Sequence, residues 1–173
     1  MKAPESMLMD FCATLSRLFD IRALKDTSFS DLISFTDKFY AKPIVVVVGT
    51  NPSRKSPTKV PFAPETKSGT TVRSWFKDFD GCVLYRNLYD DYTKDNKTPD
   101  KTLCHTALGR LASRRKRGHK IIACGSFVDK VLTEAKIDHF TIPHPSGLCR
   151  FWNDKVAGEA KIKEMIEWTM KQQ

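Results

Sequence analysis

Apolar and polar positions change period several times along the chain, and each change marks an element. Leu8, Phe11, Cys12, Leu15, Leu18 and Phe19 fall on one helical stripe, which predicts an amphipathic helix over residues 5–20. A second helix is expected from Ser30, a residue suited to cap a first turn, through Leu32, Ile33, Phe35 and Phe39 to Tyr40. The pattern then becomes continuous: Ile44, Val45, Val46, Val47 and Val48 are five β-branched residues between Pro43 and Gly49. A run without a polar face fits a strand covered on both sides, as in the middle of a parallel sheet. Cys82 to Tyr85 is a weaker second strand. Leu103, Ala107, Leu108 and Leu111 share a helical face behind a capping Asp100, and this helix turns basic towards its C-terminus, where cations suit its dipole. Lys120 to Cys124 reads as strand, Gly125-Ser126 as turn, Phe127 to Lys136 as helix, His139 to Ile142 as strand, and Asn153 to Lys171 as a closing helix. Strands alternating with helices predict an α/β fold, three layers α/β/α with a mostly parallel central sheet. Ligands in such folds bind outside the carboxyl ends of the strands, so chemistry is expected just after Val48, Tyr85, Cys124 and Ile142.

Composition sharpens this picture without changing it. The 173 residues suit one domain, 1–173, made of N-terminal helices (1–40), a motif-bearing core (43–154) and the closing helix (153–171). No apolar run approaches the roughly 18 residues of a spanning helix, and Glu5 and Asp10 do not suit a signal peptide. The expectation is a soluble monomer, cytoplasmic or nuclear/nucleoid-associated, not secreted and not in a membrane. Cys12, Cys82, Cys104, Cys124 and Cys149 form no CxxC pair, which leaves a zinc ribbon unsupported and fits reduced, buried thiols. The net charge of +9 points to polyanionic partners, nucleic acid first. That charge is gathered in two stretches. Arg110 to Lys120 holds Arg110, Arg114, Arg115, Lys116, Arg117 and Lys120 with no acid; between Gly49 and Lys77 only Glu65 stands against Arg54, Lys55, Lys59, Lys67, Arg73 and Lys77.

Three of the four strand ends carry a polar motif. Gly49-Thr50-Asn51-Pro52-Ser53 makes a tight turn after the buried strand and holds the Asn51 amide at the sheet edge, where it can fix a water or a substrate group; the same residues also read as a plain turn. Downstream, Lys59-Val60-Pro61-Phe62-Ala63-Pro64 sets an aromatic between prolines in a basic loop, able to stack on a base or to pack in the core, while Trp75 and Phe76 belong to the core. Asn87, in Tyr85-Arg86-Asn87-Leu88, carries a donor and an acceptor together, the pair needed to read the carbonyl and N–H on the edge of uracil or thymine. Pro143-His144-Pro145-Ser146-Gly147-Leu148-Cys149-Arg150 holds a histidine in a rigid loop, followed by an apolar residue and a cation. Leu148 has the chemistry of a wedge that opens a base stack.

The order GTNPS, VPF with VRSWF after it, an Asn at a strand end, then HPSGL resembles the uracil-DNA glycosylase superfamily, above all its mismatch-specific and single-strand-selective monofunctional branches. The resemblance covers about residues 43–154 and implies a uracil-DNA glycosylase-like fold. It further implies that Asn51 positions the attacking water and that Phe62 stacks on the extruded base. Asn87 would read the pyrimidine edge with Gly49 beside it, and His144 would hydrogen-bond the base oxygen as negative charge builds there. Ser146 and Gly147 would grip phosphates and Leu148 fill the vacated stack. Arg150, Ser53 and Lys55 would complete the DNA contact. The implied activity is hydrolysis of the N-glycosidic bond of a flipped base in DNA, duplex or single-stranded, leaving an abasic site, with no metal and no organic cofactor. Ser53 and Gly147 depart from one or both branches, so the base stays open among uracil, a 5-substituted uracil and thymine opposite guanine. Two alternatives remain: a protein that keeps the pocket but binds modified DNA or a nucleotide with little or no turnover, and an unrelated Rossmann-like nucleotide enzyme. The absence of GxGxxG and GxxxxGK[ST] weighs against the second.

Overall fold

The computed structural model describes residues 43–56, 59–93 and 104–171. The helices expected before residue 41, with Cys12, and the capping Asp100 with Leu103 lie outside the described residues. Within them the chain runs β1 (Ile44–Gly49), α1 (Lys67–Ser74), β2 (Cys82–Asn87), α2 (His105–Lys116), β3 (Lys120–Cys124), α3 (Ser126–Glu134), β4 (Phe140–Ile142), a 3-10 turn (Arg150–Asn153) and α4 (Lys155–Met170). This is an α/β fold on a four-stranded, all-parallel sheet in the order β2-β1-β3-β4.

The valine run explains the centre. β1 pairs with β2 on one side and β3 on the other, and Val45 to Val48 are 0% exposed, so both faces of the strand are covered. Successive side chains point to opposite faces. Val46 and Val48, with Ile121 and Ala123 of β3, pack against Leu111 of α2 and Val128, Val131 and Leu132 of α3. Val45 and Val47, with Ile122, Cys124 and Ile142, pack against Val72 of α1, Trp75, Phe76 and Met165 of α4. Helices therefore lie on both faces of the sheet, the three-layer arrangement the alternation predicts. Trp75 and Phe76 sit in the core as expected.

Two elements differ most from the sequence pattern. β2 runs two residues beyond Tyr85, because Arg86 and Asn87 find partners in Val48 and Gly49 of β1. α1 has no clear sequence signature: it contains Gly69, Thr70, Thr71 and Val72, all weak helix formers. Tertiary contacts hold it instead. The Thr66 hydroxyl donates to Ala63 O (2.8 Å) and accepts from Gly69 N (3.0 Å), capping the helix against the preceding loop. Gly69 is required there, since a Cβ would lie 2.0 Å from Ala63 O.

Chain order along the sheet reverses at β1: β2 lies to one side of it, β3 and β4 to the other. The carboxyl ends beside such a reversal form the natural crevice of an open parallel sheet.

Candidate functional site

The loops at that crevice enclose a cleft of about 330 Å³, lined by Gly49, Thr50, Asn51, Pro52, Ser53, Arg54, Lys55, Phe62, Thr66, Ser68, Asn87 and His144. Its size falls in the lower part of the roughly 300–1,000 Å³ range of small-molecule sites. Strand register accounts for its floor. Gly49 and Asn87 are directly paired across β1 and β2, so the last residue of each strand faces the crevice. A Cβ on Gly49 would lie 2.9 Å from both Asn87 Oδ1 and Phe62 Cζ. The missing side chain is what lets the amide and the ring approach each other over the strand end.

Asn87 is 7% exposed, and its Nδ2 is buried without a hydrogen-bond partner among the described residues. An unmade hydrogen bond at a buried amide costs about 1–3 kcal/mol, which is unusual unless a ligand supplies the partner. Phe62 holds a left-handed backbone (φ 48°), a conformation costing about 1–3 kcal/mol for a side chain of this size. Arg73 fixes it there: its Nε donates to Phe62 O at 3.2 Å while its guanidinium lies 4.3 Å from the centre of the Tyr85 ring. The Phe62 ring in turn packs on Tyr85, centroids 6.0 Å apart. The sequence left Phe62 open between core and cleft; its ring does both.

His144 comes from the loop after β4 and reaches the cleft across the end of β3. The strand end after Cys124, the one without a polar motif, contributes room: Gly125 holds a φ of 93° that other residues rarely adopt, and a Cβ there would press on His144 Cβ at 3.2 Å. Trp152 Nε1 donates to His144 O at 2.8 Å and anchors the backbone. Burial pushes the imidazole pKa below its ordinary value, so the ring is neutral at pH 7. Ser146 N–H donates to Nδ1 at 3.2 Å, which makes Nδ1 the acceptor and places the single ring proton on Nε2. Asn51 is half-buried and its Nδ2 donates to Pro52 O at 3.0 Å, which fixes the rotation of the amide.

The rim is cationic and exposed. Ser53, Arg54 and Lys55 lie open to solvent, with Lys55 N–H bonded to Ser53 Oγ (3.3 Å) and the Arg54 guanidinium to Thr93 O. Ser146, Gly147, Leu148 and Arg150 do not line the cleft; they continue the His144 loop beyond it. Cys149 N–H closes a turn on Ser146 O (3.1 Å), and Leu148 at its tip is 93% exposed. The Lys67 side chain lies against Gly147, where a Cβ would come within 2.6 Å of Nζ. Sequence reading missed Thr66 and Ser68 in the cleft wall, Lys67 at the loop, and the supports Arg73, Gly125 and Trp152. The Thr-x-x-Gly spacing of the α1 cap was the one local signal for the first group.

Among the described residues no three His, Cys, Asp or Glu side chains gather as a metal site, and no helix is long and apolar enough to cross a membrane. Cys82, Cys104, Cys124 and Cys149 are free thiols, with Cys104 and Cys124 buried. Comparison with protein-family models, with curated proteins and with solved structures finds no match for this chain.

Proposed function

We propose that this protein is a monofunctional DNA glycosylase of the uracil-DNA glycosylase type, cleaving the N-glycosidic bond of an extruded uracil, 5-substituted uracil or mismatched thymine. The observation that carries the reading is the unpartnered Nδ2 of Asn87, set beside Phe62 and a neutral His144 in one cleft. A pyrimidine edge offers what this amide lacks: a carbonyl to accept from Nδ2, next to an N–H that donates to Oδ1. The Phe62 ring gives that base a flat apolar surface, and stacking of this kind is worth about 1–3 kcal/mol.

Bond cleavage leaves positive charge on the sugar and negative charge on the departing base. The Nε2–H of His144 is a donor held in place before the reaction, so it stabilises the developing oxyanion without reorganisation, an effect worth about 2.7–4 kcal/mol. A water then adds at C1′ and gives up its proton, the departing base takes one, and an abasic sugar remains. Asn51 orients that water through its amide. An amide is a poor base, so turnover is slow beside that of a carboxylate at the same place. Lys67, Ser146 and the loop amides meet the flanking phosphates, and Leu148 enters the stack.

The test is single-turnover incubation with single-stranded and duplex oligonucleotides carrying uracil, 5-hydroxymethyluracil or thymine opposite guanine, followed by alkaline cleavage. A shortened strand from at least one substrate, lost in His144→Ala, is expected. Tight, lesion-selective binding with no product from any of them would replace this reading with that of a non-catalytic binder of modified bases.

A further inference from the structure

A second and larger concavity, about 860 Å³, lies on the flank of the molecule between β2 and α2. Its wall carries Arg86 from β2 and His105, Arg110, Arg114 and Arg117 from α2 and its end. Residues 110, 114 and 117 follow i, i+4, i+7 spacing, so these arginines form one row down a helix face, rising about 10 Å from first to last. Arg86 Nη1 donates to Tyr85 O (2.7 Å) and Arg117 Nε to Ser113 O (3.3 Å), both backbone acceptors. Among the described residues none of the four arginines has an acidic partner, whereas Arg115, on another face of the same helix, is paired with Asp138. Two aspartates also line the concavity: Asp91 is paired with Lys59, and Asp90 makes no ion pair with these arginines among the described residues. The electrostatics agree in direction: burial first, and then the neighbouring Arg86 and Arg117, depress the Arg114 pKa, and burial first, and then Arg114 and Arg117, depress that of His119.

Among the described residues, four arginines, three of them exposed, thus outnumber the one unpaired carboxylate of this groove, Asp90, and an anion entering it meets net positive charge. The groove also touches the base cleft, because Asn87 lines both. We infer that this arginine row is a second nucleic-acid site, holding the phosphate backbone of a strand that continues past the cleft. The occupant is a polynucleotide rather than an acidic protein segment because the groove borders, at Asn87, the cleft where a base would be read; its guanidinium forks match phosphate and carboxylate oxygens alike, and the test below separates the two. Identification of the polymer rests on the glycosylase reading; the anionic character of the ligand does not.

An oligodeoxyadenylate tests this without base reading in the cleft, since it offers no pyrimidine to Asn87. Binding to the full chain is followed by fluorescence anisotropy over a range of salt concentrations. Each phosphate contact contributes about 0.7 to the slope of log K against log salt for a single strand, so the triple variant R110Q/R114Q/R117Q is expected to lose about 2 units of slope. The corresponding lysine triple variant should recover most of it, and Arg115→Gln should leave it unchanged. Phosphate in the groove should also raise the His119 pKa in an NMR titration, and this rise should vanish in the glutamine triple variant. Equal slopes for wild type and glutamine variant overturn the inference, as does polyglutamate of equal charge competing as well as the oligonucleotide. Excision of uracil under saturating, single-turnover conditions separates the two proposals. Product with an unchanged slope removes the groove alone, and a lowered slope without product from either protein removes the glycosylase alone.

Discussion

Two concave regions meet at Asn87 and are built on opposite terms. Beneath the cationic rim of Arg54 and Lys55, the cleft at the strand ends is floored by neutral groups whose positions are fixed by backbone: paired Gly49 and Asn87, the left-handed Phe62, and His144 anchored by Trp152 and seated on Gly125. The flank groove is walled by long cationic arms from one helix and from Arg86 of β2, none of them ion-paired among the described residues. The first arrangement suits discrimination and chemistry, where a misplacement of about 1 Å can cost 100-fold. The second suits attraction, where the count of charges matters more than any one position. Substitutions in the cleft should therefore change rate steeply at single atoms, and substitutions in the groove should change affinity gradually.

The sharpest break comes from His144→Ala. Removing this preorganised donor should lower single-turnover excision about 100- to 1,000-fold, with oligonucleotide affinity nearly unchanged because the groove and rim remain. A rate within a few-fold of wild type would make the cleft a binding pocket and erase the contrast. Gly49→Ala follows, with a loss approaching about 100-fold, since a single methyl would displace both Asn87 and Phe62. Leucine substituted at Asn87 sharpens the comparison from the side of stability. It should abolish base discrimination yet stabilise the fold by about 1–3 kcal/mol in urea denaturation, because a buried, unpartnered donor is removed. A destabilised variant would mean that Asn87 is there to hold the sheet.

Much of the fold was legible because period and chemistry agreed. The valine run could only be a covered strand, and the positions after Val48, Tyr85 and Ile142 announced polar motifs that the sheet brings together. What escaped was whatever depends on contacts between distant residues. α1 has a poor helical sequence and exists through the Thr66 cap and the Gly69–Ala63 approach. Arg73 looked like one more surface cation, but it holds Phe62 in place. Gly125 looked like an ordinary turn, yet its missing side chain seats His144. In the cleft the sequence named four of the groups that line it, Asn51, Phe62, Asn87 and His144, and missed those that position them, since a positioning role leaves no local pattern. The basic run at 110–117 was visible as charge; that three of its members share a groove with Arg86 required the register of β2.

Protonation gives a milder handle on the same contrast. The depressed pKa of His144 means that the unfolded chain takes up this proton before the folded one does as pH falls. Stability from keeping the ring neutral is therefore complete above about 6.5 and is lost as pH drops from there through the folded value, at no more than about 1.4 kcal/mol per pH unit. Asp129 acts in a lower window. The Thr141 hydroxyl, then His139, hold its carboxyl below the usual range, so its contribution is present above about 3.9 and fades as pH falls through its folded value. Urea midpoints measured down from pH 7 should fall in wild type before the carboxylate range is reached, and less in His144→Asn, where only the depressed pKa of His119 still acts in that window. Parallel curves would show that burial of the imidazole has no energetic weight.

The smallest effect belongs to the rim, where the two regions hand over to each other. Leu148 touches almost nothing in the folded chain, at 93% exposure, so Leu148→Ala should leave stability within about 0.5 kcal/mol of wild type. Its apolar surface is useful only inside a base stack, and only a duplex has a stack that must be held open. Excision from duplex should fall about fivefold, a change of about 1 kcal/mol, while excision from a single strand stays the same. Comparing the two substrates in one variant cancels any general loss of activity. An equal fall on both would place Leu148 with the groups that position His144, and a fall on neither would show that the exposed tip does not enter DNA.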